Sequence, residues 1–350
     1  MLDYLTFPSI YYFNKEKNAR DEEMSEHVIK DEYISFTEKA TQLLEPYKQD
    51  INKFYQNDIY SQYDYPNILL HAYSPYTYDN EHNYLDNLKE KDEQTLRDEL
   101  IKSLMSIEND DFEKPKDVSM SESEALSFIN DLKIDSSNKW NLLMMIQSPK
   151  GYLNDYIKLL KNVEPYFNQL YQQYEDKVEE VGETISNQLS GKTNEHFKKI
   201  TYNLINYEFN GNDLCEFYVS AIFQYTLRFI ENEDDVCRIV WGLESEASFK
   251  AVHEINENKL IQRVKVFKAL GDQTRYGTLK LIASGISSIK EIATKMDVSS
   301  ATISYHINEF LTTGIIILNK RKSKKSIYEV DYDKLNEVIN DFKEDLNFPE

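Results

Sequence analysis

Cysteine is nearly missing from this chain of 350 residues. Its 2 cysteines, Cys215 and Cys237, are too few for a disulfide framework and lack the close Cys or His spacing of zinc sites. They are expected to be two buried thiols. Glycine is scarce too, at 9, with no dinucleotide fingerprint and no Gly-x-Ser-x-Gly elbow. Gly191-Lys192-Thr193 ends like a phosphate-binding loop, but Ser186 stands where the first glycine belongs. The histidines, His27, His71, His82, His196, His253 and His306, show no i, i+4 pairing for a metal. Enzyme signatures are therefore absent, and neither a catalytic role, a cofactor nor a metal is expected. No run approaches the roughly 20 apolar residues of a membrane span, and "MLDYLTFPSIYYF" has an acidic residue where a secretory peptide has basic ones. A cytoplasmic protein without membrane contact is expected.

What the chain has in abundance is tyrosine and acid. Its 26 Tyr and 17 Phe, within 41% hydrophobic residues, argue for folded cores, and the length argues for two or more domains. The net charge of −21 would repel nucleic acid if it were evenly spread. It is not: residues 1–258 carry −24, residues 259–330 carry +8 and residues 331–350 carry −5. One basic segment lies in an acidic protein.

The acidic part reads as mostly helical. Apolar residues recur at helical spacings from Asp21 to Asn57, interrupted at Pro46, and again from Leu85 to Ile107, with Asp58–Asn83 between them reading as irregular. Ser121 and Glu124 form a capping box after a polar connector at 110–120, where a break between two subdomains is expected. A helix is predicted from Ser137 to Gln147, stopped by Pro149. The stripe Val163, Phe167, Leu170, Tyr174, Val178, Val181, Ile185 and Leu189 predicts one long helix with Pro165 in its first turn. Its aromatic content favours core packing over a coiled-coil seam. The tyrosines between Tyr55 and Tyr84 are read as core filling in preference to a pocket for an organic effector. Leu214–Leu243, rich in β-branched and aromatic residues, predicts a small antiparallel sheet.

From Val264 onward the pattern sharpens. Val264, Phe267 and Leu270 mark a helix ending at Gly271, and Asp272 can cap a second helix carrying Leu279 and Ile282. Ile289, Ile292, Ala293 and Met296 mark a short third helix; Asp297 and Val298 make a turn that Ser299 closes as a cap. The next helix buries Ile303, Ile307, Phe310 and Leu311. Its other face, Ser300, Thr302, Ser304, Tyr305 and His306, offers short hydroxyls and planar donors near the helix start, suited to base edges in a major groove. "IIILNKRKSKKSIYEVD" reads as strand, basic loop, strand, with Lys320, Arg321, Lys322, Lys324 and Lys325 placed to meet phosphates. Leu335, Val338, Ile339, Phe342 and Leu346 stripe a terminal helix, suited to pairing with a second subunit or, as the alternative, to packing within one chain.

"FKALGDQTRYGTLKLI" and "VSSATISYHINEFLTTGII" occur in order and spacing that resemble the ArsR-type winged-helix family of bacterial regulators, over about a fifth of the chain. The region upstream is similar only vaguely to the extended N-terminal parts of oversized members. The resemblance implies a homodimeric regulator, a repressor by expectation, reading an inverted-repeat operator in double-stranded DNA. It departs from metal-sensing members: Ser288, Ile289 and Lys290 stand where those carry Cys-x-Cys, and the terminal helix has no histidine. The expected architecture is thus mainly α with a minor β part. Residues 1–258 form a regulatory or dimerisation region answering an unknown small-molecule or protein effector, and residues 259–350 a winged helix-turn-helix with a C-terminal dimerisation helix. The rival reading is a protein-interaction scaffold that uses the winged helix and acidic surface without specific DNA binding.

Overall fold

The computed structural model describes residues 1–13, 29–55, 63–109, 120–189, 193–209, 215–231, 236–321 and 327–348. It is mainly α with a minor β part, as expected from the sequence, and the β part consists of two three-stranded sheets. The chain forms two compact units that exchange segments: Met1–Gly182 with Leu214–Leu243, and Glu183–Asp213 with Glu244–Glu350. The expected division at 258/259 thus differs from the observed one, and the suggested break near 110–120 falls largely outside the described residues.

In the first unit the helices are α1 (Leu2–Thr6), α2 (Asp31–Leu44), α3 (Lys48–Phe54), α4 (Tyr65–Ala72), α5 (Glu81–Glu90), α6 (Glu93–Asn109), α7 (Glu122–Asp131), α8 (Ser136–Gln147) and α9 (Pro149–Tyr171). Pro46 sits in a short 3-10 turn between α2 and α3, and the capping box of Ser121 and Glu124 opens α7. Two local expectations are corrected. Asp58–Asn83 is not wholly irregular, because Asp64 caps α4 by accepting from Asn67 N at 2.9 Å and Pro66 occupies its first turn. Pro165 lies inside α9, which starts instead at Pro149, and the predicted long helix divides at Gln172–Tyr174 into α9 and α10 (Glu175–Leu189). The boundary between the units falls within α10.

The core of this unit is built on tyrosine. Phe54, Tyr65, Tyr152 and Tyr156 pack with ring centroids 4.9–5.9 Å apart, mostly edge to face. Several hydroxyls end on backbone: Tyr55 and Tyr156 both donate to Leu5 O, at 2.7 and 2.8 Å, and Tyr84 donates to Tyr73 O at 3.0 Å. Each such ring supplies apolar area and also a donor to a backbone carbonyl in the core. Burial drives these phenols well above the usual tyrosine range.

β2 (Cys215–Ser220), β3 (Leu227–Glu231) and β4 (Cys237–Gly242) form a sheet in the order β2-β4-β3. β2 runs parallel to β4 and β3 antiparallel to it, so the sheet is mixed where an antiparallel one was expected. The turn after β2 folds over Asp3, whose buried carboxylate accepts from Ser220 Oγ (2.6 Å), Ala221 N (2.8 Å) and Ile222 N (3.2 Å). Burial raises the Asp3 pKa, and those donors partly offset the rise. Gly242 closes β4 where a Cβ would stand 2.3 Å from the Gln224 carbonyl oxygen.

The second unit contains α11 (Thr193–Ile200), β1 (Ile205–Glu208), α12 (Ser245–Glu257), α13 (Lys259–Leu270), α14 (Gln273–Ala283), α15 (Ile289–Met296), α16 (Ser300–Thr313), β5 (Ile316–Arg321), β6 (Ile327–Val330) and α17 (Tyr332–Asp345). Its core joins Val266, Leu279, Ile282, Ile292, Ile303, Ile307, Phe310, Ile316 and Val338. No helix among the described residues is long and apolar enough to cross a membrane.

Two outcomes follow for the first unit. Gly242→Ala should lower unfolding stability in urea by about 1–3 kcal/mol, the cost of overpacking against fixed backbone. Burial holds Asp64 at about 6, above its ordinary 3.8. A raised carboxyl favours folding while protonated, so its contribution is lost as pH rises from about 4 to about 6. Asp64→Asn keeps the cap and removes the charge. Its stability relative to the parent should improve by about 1–2 kcal/mol between about pH 4.5 and about pH 7.5.

Candidate nucleic-acid interface

α15 and α16 are joined by a turn that the backbone must make left-handed. Asp297 sits at φ 53°, while Val298 N reaches back to Ala293 O (3.1 Å) and Asp297 N to Thr294 O (3.3 Å), the hydrogen-bond pattern of a Schellman end. Ser299 then caps α16, accepting from Thr302 N at 3.1 Å. This is the turn and cap expected from the sequence. The far end of α16 closes on Gly314 at φ 73°, where Ile315 N bonds Phe310 O at 3.2 Å.

Two buried amides complete that end. Asn256 Nδ2 donates to Thr312 O at 3.1 Å and Gln262 Nε2 to Thr313 O at 3.4 Å, supplying donors to carbonyls that have no partner within the helix. Arg275 supports the middle of α16: its Nη1 lies 3.8 Å from Glu309 Oε2, and its Nη2 donates to Lys268 O at 3.3 Å. Its backbone N is held by the Asp272 cap at 2.8 Å, a contact that keeps the Asp272 carboxyl below its usual range. The Asp-x-x-Arg spacing seen in the sequence thus ties the end of α13 and the start of α14 to α16. Asn256 and Gln262 carried no sequence signal, since buried amides on helices look like surface residues until a partner is known.

The inward face of α16 is as predicted: Ile303, Ile307 and Phe310 are buried and Leu311 is partly so. On the outward face Ser300, Thr302, Ser304 and Tyr305 are half-buried, with the Thr302 hydroxyl 2.9 Å from Ser299 Oγ. His306 is the exception and corrects the expected base-reading set. Only 7% of it is exposed, and neither ring nitrogen has a hydrogen-bond partner among the described residues. Desolvation lowers its pKa, followed by the opposed fields of Asp272, which raises it, and Arg275, which lowers it. A neutral ring turned into the protein cannot meet a base edge in this conformation.

β5 and β6 pair antiparallel, with Asn319 opposite Ile327. Lys320 and Arg321 end β5, while Lys322, Lys324 and Lys325 of the expected basic loop lie outside the described residues. A third strand, β1, pairs parallel with β5 from more than 100 residues upstream and sets Glu208 in register with Arg321. Across this sheet Asn206 Nδ2 donates to Asn319 Oδ1 (2.8 Å), and Asn319 Nδ2 to Glu329 Oε2 (2.6 Å). Sequence reasoning missed β1, although Ile205, Tyr207 and Phe209 alternate and all three are buried.

The terminal stripe divides. Val338 is buried and Leu335 packs beside it, whereas Ile339 and Leu346 are 37% and 57% exposed. Phe342 lies between these groups, its ring 4.7 Å from Phe267. Arg263 fixes α17 against α13 through Asp341 (3.1 Å) and Asp345 (2.7 Å). Beside Ile339 and Leu346, α13 exposes Leu260, Val264 and Phe267, which share one helical face.

No family model and no solved structure matches the chain. An uncharacterised helix-turn-helix-type transcriptional regulator of Methanocaldococcus jannaschii is 34% identical over 82 residues, 23% of this chain and 91% of that protein. At that identity, over nearly the whole of the relative, the chain belongs to the helix-turn-helix-type transcriptional regulators.

Proposed function

We propose that the chain is a sequence-specific DNA-binding regulator of ArsR type in which α16 enters the major groove and the β5–β6 hairpin acts as a wing on the phosphates. The observation that carries this reading is the outward N-terminal face of α16, where Ser300, Thr302, Ser304 and Tyr305 are half-buried, on a helix held at both ends inside the basic segment of an acidic protein. A helix fixed in this way can present side chains to base edges without reorganising on binding. The name of the archaeal relative supports a DNA partner. The basic loop supplies counterion release where the rest of the chain would oppose binding.

A homodimer is part of the reading. Leu260, Val264, Phe267, Ile339 and Leu346 expose apolar surface on two helices already clamped together, the kind of patch that a two-fold interface covers. Two such subunits would meet an inverted repeat with half-sites about one helical turn apart. The remaining part of the chain would bias the dimer in response to an effector not yet identified.

Selection from random duplex DNA at two salt concentrations tests the reading. An inverted repeat should be retained, with a log–log salt slope near about −4 or −5 per wing if all five cations meet phosphate. Tyr305→Ala should weaken the selected site by about 1–3 kcal/mol and relax preference at one position, whereas Lys322→Ala should weaken all sequences alike. Retention of nothing at low salt would favour the protein-interaction scaffold. Ser288 is occupied as the cap of α15, accepting from Glu291 N at 3.3 Å, and offers no thiolate. Equimolar zinc should therefore leave operator affinity unchanged in an anisotropy titration, and a stoichiometric loss would overturn that expectation.

A further inference from the structure

The only two cysteines of the chain are 22 positions apart in sequence and directly opposite each other in the fold. Cys215 opens β2, Cys237 opens β4, and the two are Cα partners in the parallel ladder. Neighbouring strands lie about 4.7–4.9 Å apart, inside the window of about 4.4–6.8 Å between Cα atoms that a disulfide spans. In a parallel pair, in-register side chains leave the sheet on the same face. The next rung demonstrates this: Glu216 and Arg238 meet on the other face, Arg238 Nε to Glu216 Oε2 at 2.8 Å. The cysteines share their face with Phe217, Val219, Ile239 and Trp241, an apolar surface. Cys237 is buried at 2% exposure and Cys215 is half-buried, so the pair has one accessible member and one sheltered member. Both are thiols in this structure.

We propose that Cys215 and Cys237 form a peroxide-sensitive thiol pair that closes to a cross-strand disulfide. The Cys215 thiol gives up its proton and the thiolate attacks one oxygen of hydrogen peroxide; the O–O bond breaks, giving a sulfenic acid on Cys215, and the departing hydroxide takes up that proton and leaves as water. The Cys237 sulfur then attacks the Cys215 sulfur, the S–O bond breaks, and the hydroxyl leaves as a second water with the Cys237 proton. Two thiols are oxidised, one peroxide is reduced to two waters, and no other reactant is needed. Exposure assigns the first step to Cys215, and register brings Cys237 within reach for the second. The ladder already holds the two positions side by side, and a small local shift brings the Cβ atoms from the strand spacing to the about 3.5–4.5 Å of a disulfide. This inference concerns the chemistry of the β2–β4 pair and does not rest on the DNA-binding reading.

The test uses the full-length protein, reduced, freed of reductant and treated with hydrogen peroxide. Both thiols should disappear from a thiol titration together. The intact mass should fall by two hydrogens, and proteolytic mapping should yield a Cys215–Cys237 peptide that dithiothreitol separates. Cys237→Ser should accumulate a dimedone-trapped sulfenic acid on Cys215, and Cys215→Ser should leave Cys237 reacting at least tenfold more slowly, with circular dichroism verifying that both variants are folded. Persistence of both thiols in the parent protein, disulfide-linked dimers in place of the internal bridge, or independent over-oxidation of the two cysteines would each overturn the proposal.

Discussion

The first amides and last carbonyls of a helix have no partner within it and must find one elsewhere. That requirement organises the second unit around α16. Ser299 accepts from the Thr302 amide at the N-terminus; Gly314 adopts the left-handed angle that turns the chain away; Asn256 and Gln262 reach the last carbonyls from two other helices. The two amides cost the chain polar side chains placed where burial would otherwise favour apolar ones. Together these contacts hold α16 with its N-terminal outward face half-buried.

The first unit meets a similar accounting problem with different residues. Its many aromatic rings give it a core of large area, and the phenol hydroxyls let irregular backbone enter that core without leaving carbonyls orphaned. Leu5 O receives two such hydroxyls, and Asp3 gathers three donors from the end of β2 and the turn that follows it. The start of the chain is thereby bound to residues more than 150 and more than 200 positions away. Tyrosine enrichment, read from composition as core filling, has a second purpose that only the acceptors reveal.

Local signals were legible wherever the cause was local. The capping boxes and caps at Ser121, Asp272 and Ser299, the turn at Asp297, and the apolar faces of α14, α15 and α16 all depend on residues within about one or two helical turns, and the structure has them where spacing put them. The basic segment was legible as well, since charge is additive along a sequence. Pro165 misled because a proline placed 16 residues after a helix start at Pro149 looks the same as one in a first turn, and only packing on both sides keeps the helix continuous.

The sequence by itself therefore determined the helical character, the helix-turn-helix and its caps, and the contrast between acidic and basic parts, because backbone geometry and charge act over a few residues. Tertiary structure alone decided that β1 pairs with β5, that β2 and β4 run parallel, that the units exchange segments, and that His306 turns inward while Val264 turns out. Those outcomes depend on which distant surface is available to cover each face. A helix carries apolar residues on more than one side, and the partner that buries one side lies elsewhere in the chain.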